Sequence, residues 1–119
     1  MRIQVRTFLI TCLFLPVVSQ AAWSGCQKVT AVTNYLAYNS SVFLTLSPGI
    51  SGCSFASVTG AIGFTIGQMN VTSGNINTLL ASGMTALTLG RGVMIYYDSS
   101  TANCYSEMIA IGGYDGSCP

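Results

Sequence analysis

Residues 76–97, Ile76-Asn77-Thr78-Leu79-Leu80-Ala81-Ser82-Gly83-Met84-Thr85-Ala86-Leu87-Thr88-Leu89-Gly90-Arg91-Gly92-Val93-Met94-Ile95-Tyr96-Tyr97, change their periodicity partway along. In the first part Ile76, Leu79, Leu80, Gly83, Met84 and Leu87 fall at i, i+3, i+4, i+7, i+8 and i+11, a single apolar stripe of a helix. Thr72 and Ser73 precede it as candidate N-caps, and Gly90 stands where a C′ glycine ends a helix. Gly83 carries no side chain on that stripe, which predicts a close approach of the helix to a sheet. After Arg91 the pattern turns to Val93-Met94-Ile95-Tyr96-Tyr97, a strand.

Further strands flank this unit. Val29 to Leu36 reads as extended, Tyr38-Asn39-Ser40 as a turn, and Ser41 to Leu46 as a second strand that completes an antiparallel hairpin. Ser47-Pro48-Gly49 ends it. The Gly- and Ser-rich stretch from Ser51 to Gly63 holds a short strand around Ser54 to Val58, and Ile62 to Ile66 is another short extended candidate. Asp98-Ser99-Ser100-Thr101 forms a loop, and Tyr105 to Gly112 returns as the last strand. The expected fold class is α+β, a small antiparallel β-sheet or an OB-like partly closed barrel with one helix, stapled by disulfides.

The first 21 residues read differently. Arg2 and Arg6 precede an apolar run from Thr7 to Val18, and Ser19-Gln20-Ala21 places small residues at −3 and −1 of a cut after Ala21. This is the pattern of a signal peptide, so residues 1–21 are expected to be removed and 22–119 to form one small secreted or periplasmic domain. The apolar run is shorter than the roughly 20 residues a membrane span needs, so no integral membrane segment is expected after cleavage.

Beyond Ala21 the charges are Lys28 and Arg91 against Asp98, Glu107 and Asp115, two cations and three anions, for a net charge of −1. Such a surface is built from Ser, Thr, Asn, Gly and Tyr. It suits hydrogen bonding to neutral ligands or packing against copies of itself, and it excludes nucleic acid, whose phosphates nothing here would neutralise.

Four cysteines remain: Cys26, Cys53, Cys104 and Cys118. An even number in an exported chain implies two disulfides, with three connectivities open. The expectation is Cys26–Cys118 with Cys53–Cys104. Each closes a loop of more than 50 residues, and loops of that size contribute roughly 4 kcal/mol in the chain-entropy account. Without histidine or a C-x₂-C pair, no metal site is expected.

Catalytic equipment is sparse. The absence of histidine removes the commonest general base and any Ser-His or Cys-His pair. Asp98 sits where Asp serves as a turn residue, and Glu107 is expected on a solvent-facing strand position. No catalytic residue and no cofactor are assigned, and the protein is read as a non-enzyme. Tyrosines beside Asn and Ser offer a flat apolar face and hydroxyls, a combination that holds sugars. Tyr35, Tyr38, Asn39 and Tyr97 are the candidate ligand-binding residues. Strand tyrosines also serve as half-buried packing residues, and Tyr96 and Tyr97, being adjacent, must face opposite sides of the sheet.

Ala22-Trp23-Ser24-Gly25, directly after the expected cut, resembles the Trp-x-Gly start of the B subunits of subtilase-cytotoxin and typhoid-toxin type. Residues 77–98, with Leu79-Leu80 and then Leu89-Gly90-Arg91-Gly92-Val93-Met94-Ile95-Tyr96-Tyr97-Asp98, resemble their helix, glycine turn and following strand. The same pattern recurs in small secreted bacterial proteins of unknown function. The resemblance covers about half of the chain after the leader. It implies an OB-like barrel that forms a homo-oligomeric ring, binds host glycan and travels with a toxin A subunit. In that family a polar insert after Trp-x-Gly carries a serine that contacts sialic acid. Here Cys26 follows Gly25 at once, so no residue inherits that role.

Overall fold

The computed structural model describes residues 21–119, and the leader expected over residues 1–21 lies outside the described residues except for Ala21. The chain forms β1 (Ala21–Trp23), β2 (Gln27–Tyr35), a one-turn helix α1 (Leu36–Asn39), β3 (Ser41–Ser47), β4 (Ser54–Phe55), β5 (Val58–Thr59), β6 (Ile62–Thr65), α2 (Ile76–Leu89), β7 (Gly92–Asp98) and β8 (Ser106–Ile111). The fold is α+β, as expected. Three details differ: Ala21–Trp23 forms an unexpected strand on β7, the turn after β2 closes into one helical turn, and the single short strand expected at 54–58 is a miniature hairpin of β4 and β5. Ala56 and Ser57 make its tight turn, both at positive φ.

Strand pairing is antiparallel throughout the main sheet. β2 pairs with β3, β3 with β6, and β7 takes β8 on one edge while β1 and the first residues of β2 share the other. A register shift between Val29 and Ala31 bulges β2, and such a bulge bends a strand so that it serves two neighbours. Gly63 of β6 meets Tyr105, just ahead of β8, in a parallel bridge. The run β6-β3-β2-β7-β8 is thus joined at its ends by this one bridge alone, an arrangement compatible with a partly closed barrel but not a closed one.

Helix α2, which follows β6 and precedes β7 in the chain, packs chiefly on β2, with β8 and β3 beside it. Ile76, Leu79, Gly83 and Ala86 are its buried row, set against Leu44 and Val32. A Cβ at Gly83 would lie 2.9 Å from Leu44 Cδ2, so the glycine permits the close approach its place on the stripe predicted. The stripe itself is narrower than expected: Leu80 is half-buried, while Met84 and Leu87 are exposed and Ala86 takes their place inside. Docking through its smallest residues turns the helix onto the 76–79–83–86 row and leaves the adjacent row at the rim. The helix opens on Asn75 and not on Thr72 or Ser73, although Thr72 still contributes: its Oγ1 accepts the Asn75 N–H, and Asn75 Oδ1 accepts the Thr72 N–H. Gly90 ends the helix in the left-handed conformation, as expected. Lys28 Nζ donates to the Gly90 carbonyl, placing a cation at the negative end of the helix.

The core gathers Val42, Leu44, Ile62, Phe64, Val93 and Ile95, each essentially without solvent contact. Full burial of such side chains stabilises the fold by roughly 1.5–3 kcal/mol apiece. Both disulfides have the expected connectivity, Cys26–Cys118 and Cys53–Cys104. Among the described residues no helix is long and apolar enough to cross a membrane.

Candidate functional site

Strand β3 begins beside the end of β6, and their register places Ser41 opposite Thr65. The two hydroxyls meet at 2.6 Å, and Ser41 Oγ also donates to the Asn39 carbonyl at 3.2 Å. These residues form one wall of a cleft of about 280 Å³, lined by Asn39, Ser41, Phe55, Ala56, Thr65, Asn103 and Tyr105. Phe55 and Ala56 come from the β4–β5 hairpin, and Asn103 and Tyr105 from the loop between β7 and β8.

Disulfide Cys53–Cys104 joins these last two segments. Cys53 directly precedes β4, and Cys104 stands between Asn103 and Tyr105. The Ser54 N–H donates to the Ala102 carbonyl at 2.7 Å, a second tie between the same walls. Behind the cleft Phe55 lies 6.4 Å from Tyr105 and 5.5 Å from Phe43, ring centre to ring centre. Asn103 Nδ2 donates to the Tyr105 hydroxyl at 3.1 Å.

Backbone strain collects here. Five residues other than glycine have positive φ among the described residues, and three belong to this rim: Ser40 (60°), Ala56 (51°) and Cys104 (45°). Such conformations cost on the order of 1–3 kcal/mol each and cluster where a site is held in shape. Here a buried disulfide and the Ser41–Thr65 contact hold them.

No charged side chain lines the cleft. Asp98 Oδ1 accepts the Ser100 N–H, which closes the turn expected of it. Glu107 is half-buried rather than turned to solvent, and Oε2 accepts from Asn70 Nδ2 at 2.5 Å. Asp115 is bound by Ser117, whose hydroxyl first and backbone N–H second hold its carboxyl below the usual carboxylate range. The three carboxylates are thus tied into separate turns and loops. Among the described residues no group of three or more His, Cys, Asp or Glu side chains is placed to hold a metal ion.

Of the four residues singled out from sequence, Asn39 lines the cleft. Tyr38 is 79% exposed beside it and packs on Tyr35 at 4.8 Å, and Tyr35 meets Phe43 edge-on at 5.8 Å. Tyr97 is apart from them, half-buried against the main core. The residues sequence reasoning did not single out are Ser41, Phe55, Thr65, Asn103 and Tyr105. The paired cysteines at 53 and 104 carried the signal that brings Phe55 to Asn103 and Tyr105.

A comparison with protein-family models, curated proteins and solved structures finds nothing that matches this chain.

Proposed function

We propose that this protein is a secreted, non-enzymatic binding module that takes a neutral glycan in the cleft between Asn39, Thr65 and Tyr105. The observation that carries this reading is the composition of the cleft. Amide and hydroxyl groups stand beside aromatic rings, and no ionised side chain lines the wall. Neutral sugars present both hydroxyls and a flat C–H face, and they are held by that combination. A volume of about 280 Å³ lies just below the roughly 300 Å³ at which ligand pockets usually begin, and suits one sugar ring.

Position supports the reading too. OB folds bind oligosaccharides at the loops joining their first and second and their fourth and fifth strands. The corresponding segments here are α1 with Ser40 and the loop between β7 and β8, and both line or border the cleft. This is an argument from fold, supplementary to the side chains. The two disulfides suit an oxidising compartment, secreted or periplasmic.

The resemblance of the sequence to toxin B subunits adds a homo-oligomeric ring and an A subunit to this proposal. Met84, Leu87 and Leu89 on α2 favour a protein contact, being 54%, 40% and 63% exposed. The same ridge would serve the alternative reading, a periplasmic accessory, inhibitor or immunity-type protein that binds another protein. A glycan array probed with wild type and Asn103→Ala tests the main reading. Binding of neutral glycans that weakens in the variant supports it. A blank array, together with recovery of a stoichiometric protein partner from the native source, would replace it with the alternative.

A further inference from the structure

Trp23 of β1 pairs with Tyr96 of β7, and Tyr96 pairs with Met108 of β8. Directly paired residues project from the same face of a sheet, so the three form a row across three strands. Their neighbours Ile95 and Ile109 belong to the core side, which sets this row on the outer wall. The Tyr96 ring meets Trp23 edge-on at 5.4 Å. The segment after β8 then folds back, and Tyr114 stacks on Trp23 at 5.0 Å with ring planes 30° apart. Tyr114 remains 61% exposed, so one ring face lies on the tryptophan while the rest is open to solvent.

That segment is fixed, not loose. Cys118 is bonded to Cys26, the Gly92 N–H donates to the Pro119 carbonyl at 2.7 Å, and Cys118 N–H donates to the Gly112 carbonyl at 2.9 Å. Asp115, next in the chain, is held by Ser117 in its ionised form. An aromatic ring backed by a second ring and anchored at both ends has little freedom to lose on binding, and this is what preorganises a stacking contact.

We infer that Tyr114, backed by Trp23, is a second sugar-binding platform, which stacks a pyranose ring of a neutral oligosaccharide. The inference rests on the glycan reading of the cleft and extends it to ligands longer than one sugar. Both are tied to β7: Trp23 pairs with Tyr96, and the Asp98 N–H donates to the Tyr105 carbonyl. The fixed negative charge of Asp115 disfavours acidic sugars at the platform, so the ligand is an uncharged one.

Trp23 is the chain's single tryptophan, so its fluorescence reports on the platform and not on the cleft. Neutral mono-, di- and trisaccharides that score on the glycan array are titrated by calorimetry and by Trp23 emission, for wild type, Tyr114→Ala and Asn103→Ala. The expected result is an emission change that saturates with the heat, and a loss of about 3- to 10-fold in trisaccharide affinity for Tyr114→Ala, the range of one aromatic contact. Monosaccharide affinity in the cleft should be unaffected by that variant. Binding that is sensitive to Asn103→Ala but silent in Trp23 emission and indifferent to Tyr114→Ala overturns the platform and leaves the cleft standing. A Trp23 response without any effect of Asn103→Ala retains the platform and removes the cleft, and no saccharide binding at all removes both.

Discussion

The ring of Phe55 occupies the space that a side chain on Gly63 would need: a Cβ at that position would lie 2.1 Å from Phe55 Cε2. A glycine inside a strand ordinarily weakens it, and here it admits the ring that floors the cleft. Gly63→Ala is expected to cost about 1–3 kcal/mol, the usual range for overpacking a filled core. Urea denaturation measures the cost. Glycan affinity should fall in the same variant, because Phe55 must leave its place against Tyr105. A variant as stable as wild type would show that the ring yields freely.

The two disulfides should be nearly equal in stability and unequal in effect. Sequence separations of 51 and 92 correspond to roughly 4 and 4.6 kcal/mol in the chain-entropy account. Cys53→Ala with Cys104→Ala should also free the β4–β5 hairpin from the 99–105 loop. Amide exchange would then accelerate at Ser54 and Cys104 more than across β7. The Cys26→Ala, Cys118→Ala pair should leave those amides protected and loosen the segment around Tyr114.

Leu79 and Leu80 are neighbours with different fates. Leu79 is 8% exposed and belongs to the core row, whereas Leu80 only borders it. Leu79→Asp is expected to destabilise the fold by about 4 kcal/mol or more, through an unpaired charge in the core. Leu80→Asp should cost distinctly less, and Met84→Lys should fall within about 0.5 kcal/mol of wild type. Thermal unfolding of the three variants orders them. Equal losses for Leu79→Asp and Met84→Lys would contradict the way α2 is docked.

Asp115 makes a pH-dependent contribution of known sign. Its carboxyl titrates below the usual range because the Ser117 hydroxyl and N–H favour the charged form. The stabilisation is therefore complete above the ordinary Asp pKa of about 4 and is lost as pH falls through the lower folded value. The stability difference between wild type and Asp115→Asn should shrink over that acid window and vanish below it. Ser117→Ala should move the Asp115 midpoint upward in an NMR titration, and an unmoved midpoint would disprove the pairing.

Much of the architecture was legible because it is written in local periodicity. The helix pattern, the Gly90 stop and the alternating residues of β3 and β7 each follow from neighbours in sequence; counting cysteines gave two disulfides, and the structure selects the favoured pairing from the three that were open. The cleft was less legible. Asn39 belongs to it, but Phe55, Thr65 and Asn103 are brought together by pairings between segments far apart in the chain, with no motif of their own. Taken as a statement about space, the expected Cys53–Cys104 bond would have found most of them. The width of the helix stripe misled for a related reason: Met84 and Leu87 have the right period, yet contact geometry at Gly83 decides which row is covered. Tyr97 has the chemistry of a sugar contact and the position of a packing residue, since odd positions of β7 face inward.

Strand β7 carries Pro119 on the backbone of its first residue, Gly92, and Tyr105 on that of its last, Asp98. Six strand steps separate them, about 20 Å. A tether or surface linker fused after Pro119 would therefore hold the molecule by one pole with the cleft directed outward, giving an immobilised sensor a built-in orientation.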